Sequence, residues 1–178
     1  MDVKVAKTAG FCFGVKRAVE EVYKVAETTK GTVYTYGPII HNEEVVSDLE
    51  KKGVKVLETE EDLKNLTEGT VIIRSHGVPK YIYELLEERN ISYVDVTCPF
   101  VLKIHRIVEK ESAQGKHIVI VGDPNHPEVV GIKGWCQGKA TIIKTKEDAK
   151  SFLAESGEKL CIVSQTTFNY NKFKDLVE

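Results

Sequence analysis

No stretch of this chain stays apolar for long enough to cross a bilayer as a helix, so no membrane association is expected. Cysteine is scarce. The four in 178 residues, at positions 12, 98, 136 and 161, are too few and too scattered for a disulfide framework. Reduced thiols in the cytoplasm are the expected setting, and the opening Met1-Asp2-Val3-Lys4 lacks the layout of a secretory leader. An excess of one charge is missing too. A net charge of -2 and a pI near 6.2 argue against a general nucleic-acid binder. No low-complexity tract interrupts the chain.

What remains is an ordinary globular composition, 42% apolar and 29% charged, long enough for one large or two small cores. Helical and β-rich patterns alternate throughout. Val15, Ala18, Val19, Val22, Tyr23 and Ala26 recur at the spacing of one buried helix face. An alternating run from Val3 to Thr8 predicts a strand before that helix. Further strands are predicted at Thr32–Tyr36, Val54–Leu57, Thr70–Arg74, Ile91–Val96, His117–Val121, Thr141–Lys144 and Leu160–Ser164. Helices fall between them. One is predicted to open with Pro79 as its first residue. Another follows Cys98, with Phe100, Val101, Ile104, Ile107 and Val108 on its buried face. Strands joined by crossover helices mean parallel βαβ units and an α/β class of repeated small domains. The division is expected near Thr97, giving a first α/β domain over 1–97 and a second over 98–178.

Cys12, His41, His76, Cys98 and His126 all fall after a predicted strand and before a predicted helix. In open parallel sheets that edge is where ligands bind, and helix N-termini there attract anions. Pro99 and Pro127 at first helical positions make Cys98 and His126 N-caps, with the imidazole expected to aim its donors at a bound anion. A thiol at a helix N-terminus is poised to be thiolate, the form that binds metal or attacks an electrophile. The five residues should converge on one cleft between two α/β units.

Plainer readings stand beside these. Cys12 can equally be a small apolar residue in a glycine turn. His105 within a helix and His117 at a strand start read as structural or solvated, and Cys136 and Cys161 as buried small hydrophobes. Glu128 can complement a helix dipole or donate a proton. Gln165-Thr166-Thr167, at a strand end, can hold a phosphate or orient an acid. Spacing identifies no metal: zinc, an iron–sulfur cluster and a redox dithiol all stay open.

Six motifs carry a resemblance: Gly10-Phe11-Cys12-Phe13-Gly14-Val15, Ile40-His41-Asn42, Ser75-His76-Gly77-Val78, Asp95-Val96-Thr97-Cys98-Pro99, His126-Pro127-Glu128-Val129 and Gln165-Thr166-Thr167. In this order, along nearly the whole chain, the sequence closely resembles the 4-hydroxy-3-methylbut-2-enyl diphosphate reductase family of the non-mevalonate isoprenoid pathway. The resemblance implies three α/β domains around a central 4Fe-4S cluster held by three cysteines. It also implies reductive loss of the substrate's hydroxyl, giving isopentenyl and dimethylallyl diphosphate. Cys12 and Cys98 would be two cluster ligands. His41, His76, His126 and Gln165 would bind the substrate, mainly at its diphosphate, while Glu128, Thr166 and Thr167 would deliver the proton. A ferredoxin- or flavodoxin-type donor would supply electrons.

The family's third ligating cysteine belongs downstream of Gln165-Thr166-Thr167, in a third domain, and neither Cys136 nor Cys161 matches it. The chain is therefore expected to be an N-terminal part of the enzyme, weakly active or inactive alone. Residues 1–9 would form a strand that belongs with that third domain. Two other functions stay open at this stage: a phosphate-ligand-binding α/β module without a cluster, and a thiol redox protein pairing Cys12 with Cys98.

Overall fold

β-Branched runs separated by crossover helices build two parallel sheets in the computed structural model, which describes residues 2–178. The first unit runs α1 (Phe13–Thr28), β1 (Val33–Tyr36), α2 (Glu43–Lys51), β2 (Lys55–Leu57), α3 (Glu60–Asn65), β3 (Thr70–Ile73), α4 (Lys80–Glu88) and β4 (Ser92–Asp95). Its strand order is β2-β1-β3-β4. The second runs α5 (Pro99–Ala113), β5 (His117–Val121), α6 (Pro127–Lys133), β6 (Ala140–Ile143), α7 (Lys146–Ser151), β7 (Leu160–Ser164) and α8 (Tyr170–Val177), in the order β6-β5-β7. The α/β class with repeated parallel units is as the sequence predicts.

Register places the strand ends level. Tyr36 pairs with Leu57 and with Ile73, and Ile73 with Asp95, while Val121 pairs with both Ile143 and Ser164. Every loop that leaves these ends therefore starts from one line. The central strands are buried on both faces, as parallel strands covered by helices must be: Val71, Ile72, Ile73, Ile118 and Ile120 are fully enclosed. Ala18 and Val22 of α1 pack on Ile72, and Ile82 and Leu86 of α4 on Val71 and Ile73. Each such side chain contributes about 1.5–3 kcal/mol through burial. Helix starts are locally encoded. Thr59 with Asp62 and Thr145 with Asp148 form capping boxes, and the Asn42 side chain accepts from the Val45 N–H.

The two units meet through α5 and α6. The Trp135 indole N–H donates to the Val78 carbonyl across the junction, at 3.0 Å. The His105 ring stacks on Trp135 with centroids 5.1 Å apart. Gly77 has φ +71°, and a Cβ there would come within 2.6 Å of the His105 ring, so glycine is required on both counts.

Three expectations are corrected. The strand expected over residues 1–9 is not formed over 2–9, and Met1 lies outside the described residues. Val3 and Val5 are about four-fifths exposed because neither sheet places a strand beside them. The buried stripe of α5 is Val101, His105, Val108 and Ser112, whereas Phe100 and Ile107 face outward. Packing against Gly77 and Trp135 sets that phase, which apolar spacing alone did not reveal. Pro79 is the N-cap of α4, one residue before the predicted position.

Candidate functional site

The loops leaving the strand ends are tied to one another. The buried Ser75 hydroxyl donates to the Ile39 carbonyl at 3.1 Å, and the Ser75 carbonyl accepts from the Cys98 N–H at 2.9 Å. These bonds align the chain before His41, His76 and Cys98 along one edge. The imidazoles come together on it: ring centroids are 4.7 Å apart for His41 and His76, 5.4 Å for His76 and His126, and 6.1 Å for His41 and His126. Their ligating nitrogens all lie within 4.8 Å of one another, close enough to hold a metal ion or to surround an anion.

The tautomer of His126 favours the anion. Burial, reinforced by the His41 and His126 rings, pushes His76 down to about 4. His126 is also lowered, by burial first and then by His41. Both are neutral at pH 7. The Nδ1 of His126 accepts from the Glu128 N–H at 3.1 Å, which places its proton on Nε2. A neutral ring fixed in this way presents an N–H donor, whereas a metal would need that nitrogen's lone pair. Sequence reasoning expected several donors from this ring; the backbone of α6 consumes one nitrogen.

Beside His126, Glu128 is 2% exposed. Its carboxylate accepts from the Thr166 N–H at 2.6 Å and from the Thr166 hydroxyl at 2.8 Å. Burial raises its pKa despite these two donors, so the carboxyl holds its proton more readily than an exposed glutamate. The Gln165 amide donates to the Thr167 hydroxyl at 2.8 Å and accepts from the Asp123 N–H at 3.1 Å, joining the end of β7 to the loop after β5. Thr166 and Thr167 are exposed on the edge.

Cys12 and Cys98 are N-caps of α1 and α5, and neither side chain caps its own helix, so both sulfurs are uncommitted. The start of α1 approaches Cys98. A Cβ on Gly14, two residues after Cys12, would lie 2.5 Å from the Cys98 Sγ. The Arg17 guanidinium bonds the Thr97 carbonyl at 2.6 Å and fastens α1 to the loop that carries Cys98. Soft, unengaged sulfurs on two helix starts are the donor type that iron or an iron–sulfur cluster takes. Cys136 and Cys161 pack against the core of the second unit, far from this role. Burial raises both thiols, Cys136 to about 11. His105 and His117 are structural. The first stacks on Trp135, and the second bonds Glu158 at 3.1 Å and Thr141 at 2.8 Å. Sequence reasoning assigned no role to Arg17, Arg74 or Trp135, although Arg74 occupies the same strand-end position as the histidines.

No described helix is long and apolar enough to cross a membrane. A family profile described as "LytB protein" matches residues 3–178. The 4-hydroxy-3-methylbut-2-enyl diphosphate reductase of Caldanaerobacter subterraneus subsp. tengcongensis is 50% identical over 179 residues, covering 100% of this chain and 62% of that protein. The one from Clostridioides difficile is 42% identical over 185 residues, covering 100% of this chain and 66% of that protein. Among solved structures, the reductase of Plasmodium falciparum matches with a TM-score of 0.89 at 29% identity, over 96% of this chain and 53% of that one. A second, described as the terminal enzyme of the non-mevalonate pathway, matches with a TM-score of 0.83 at 42% identity, over 98% and 62%. The chain thus spans about three-fifths of the length of the relatives it matches.

Proposed function

This chain belongs to the LytB protein family, and from that premise we propose that it is the part of a 4-hydroxy-3-methylbut-2-enyl diphosphate reductase that holds the substrate's diphosphate and protonates its departing hydroxyl. The observation that carries the reading is the convergence of three imidazoles beside a buried carboxyl whose pKa is raised.

His41, His76 and His126 surround the diphosphate and donate hydrogen bonds to it, with His126 using Nε2. Gln165 keeps Thr167 and the loop after β5 in register. Glu128 holds the proton that leaves with the hydroxyl, and the exposed Thr166 hydroxyl, bonded to it at 2.8 Å, relays that proton outward. Cys12 and Cys98 would hold two corners of a 4Fe-4S cluster, with the third ligand lying outside the described cysteines. Bound there, the cluster would supply single electrons and a Lewis-acidic iron to the substrate oxygen. The two sheet units act as two domains that meet near Thr97. The setting is the cytoplasm, with electrons arriving from a ferredoxin- or flavodoxin-type protein.

Titration of the full-length protein with inorganic pyrophosphate tests the anion site. The wild type binds it, and His126→Ala weakens binding by about tenfold or more through loss of an enclosed donor to a charged group. Unchanged affinity in His126→Ala would remove the diphosphate assignment.

A further inference from the structure

Arg74 follows β3 and precedes His76 by two residues, at the same edge as the imidazoles. Its guanidinium lies over the Tyr36 ring, 5.9 Å from the centroid. It also packs tightly on Gly37, where φ is +71° and a Cβ would come within 2.0 Å of Nη1. The Nε is shut off from solvent and has no hydrogen-bond partner. Burial works against its charge, and no carboxylate stands near enough to compensate it. A partly buried cation without a counter-ion costs stability, so its presence at a ligand edge asks for an anion.

The pocket needs such a charge. Burial holds His76 and His126 below the usual imidazole range, so those two rings donate hydrogen bonds but bring little formal charge, whereas a diphosphate carries at least two negative ones. Lys144 is paired with Asp123 at 2.7 Å, and Arg17 is turned to the Thr97 carbonyl beside Cys98. The positive charge of Arg74 is felt at both His76 and His126. We propose that Arg74 is the fixed positive charge of the anion site, acting across the His76 and His126 rings to balance the charge of the diphosphate. This inference rests on the diphosphate reading of the same edge. It makes Arg74 a positioning and electrostatic residue, with no contact to the reacting carbon.

The test is calorimetric titration of the full-length protein with inorganic pyrophosphate at several salt concentrations, for the wild type, Arg74→Met, Arg74→Lys and His126→Ala. Arg74→Met should weaken binding by about tenfold at low salt and flatten the dependence of log Kd on log salt. Arg74→Lys keeps the charge and should stay within about threefold of wild type. In Arg74→Met the His76 ring, followed by NMR, should titrate at higher pH because a repelling charge has gone. The melting temperature should hold or rise, since an uncompensated buried cation has been removed. A prop for the Gly37 loop would behave differently, with a lower melting temperature, an unchanged salt slope and no rescue by lysine. That pattern, or wild-type affinity in Arg74→Met while His126→Ala is weakened, overturns the role of Arg74 and leaves the diphosphate reading standing. A wild-type protein that ignores pyrophosphate overturns both.

Discussion

His41 and His76 reach the strand edge on loops tied together through Ser75, and the His126 ring is fixed by the Glu128 N–H, whereas Cys12 and Cys98 reach it on two helix starts that leave both sulfurs free. The histidine half is partly buried, with His76 and His126 half-buried and His41 exposed; the thiol half opens outward, with Phe11, Phe13 and Phe100 exposed around it. The contrast follows from the chemistry each half is proposed to do. An anion is recognised by donors that are already aimed, so tautomer and rotamer must be fixed before it arrives. A metal-ligating sulfur must instead keep its lone pairs uncommitted, and its geometry is completed by the metal.

The sharpest way to break that contrast is at the thiols. Cys12→Ser or Cys98→Ser in the full-length protein should remove most of the iron and sulfide that anaerobic reconstitution installs, together with nearly all turnover, because a hard oxygen replaces a soft thiolate. Cys136→Ala should leave the iron content intact. A cluster indifferent to Cys12 but lost with Cys136 reverses the assignment.

Next in size is Glu128→Gln, which keeps the volume and an acceptor while removing the acid. Single-turnover rate should fall by about 10²–10⁴-fold with pyrophosphate affinity little changed. If Glu128 served only the dipole of α6, the rate would hold and only about 0.3–1 kcal/mol of stability would be lost.

Acid should strike the histidine half in a definite window. His76 and His105 have folded values near 4 against 6.5 for a free imidazole, both chiefly through burial. The unfolded chain therefore takes up protons first. Their contribution is present above about pH 6.5 and is lost as pH falls toward 4, on the order of 1–2 kcal/mol for each ring by pH 5. Denaturant melts at pH 7.5 and pH 5 should show this fall, and His105→Gln should reduce its slope. A flat profile would mean that one ring or both find solvent.

The smallest effect probes the floor beneath His76. Trp135→Phe keeps a ring for His105 to stack on but leaves the Val78 carbonyl unpaired. It should cost about 0.5–1.5 kcal/mol in urea melts without altering pyrophosphate affinity. A large loss of affinity would mean that the junction, more than the loop bonds, aims His76.

The parallel units and the edge residues were legible because strand-then-helix punctuation is local, and Pro99 and Pro127 mark their own helix starts. Glu128 and Thr166 were each visible, but their bond spans 38 positions and only the fold brings them together. The tautomer of His126 was not legible, since the group that sets it is a backbone N–H. Arg74 was read merely as the end of a strand, for nothing local says that its charge goes unpaired. The phase of α5 escaped because a histidine and a serine fill positions where periodicity looks for aliphatic side chains. The strand expected at the N-terminus failed for a related reason: alternation states a preference, but a strand exists only beside a partner.

Gly14 has a bearing on protein engineering. Replacing glycine by alanine inside a helix is a routine thermostabilising step, worth up to about 1 kcal/mol in helix propensity. At this position the new methyl would sit 2.5 Å from the Cys98 Sγ, the mobile end of a short side chain that can rotate away at little cost. A screen that reads melting temperature alone would therefore keep Gly14→Ala, even though the Cys98 sulfur had been displaced. If Cys98 holds the proposed cluster, selection for heat resistance and selection for metal retention pull in opposite directions at this one residue.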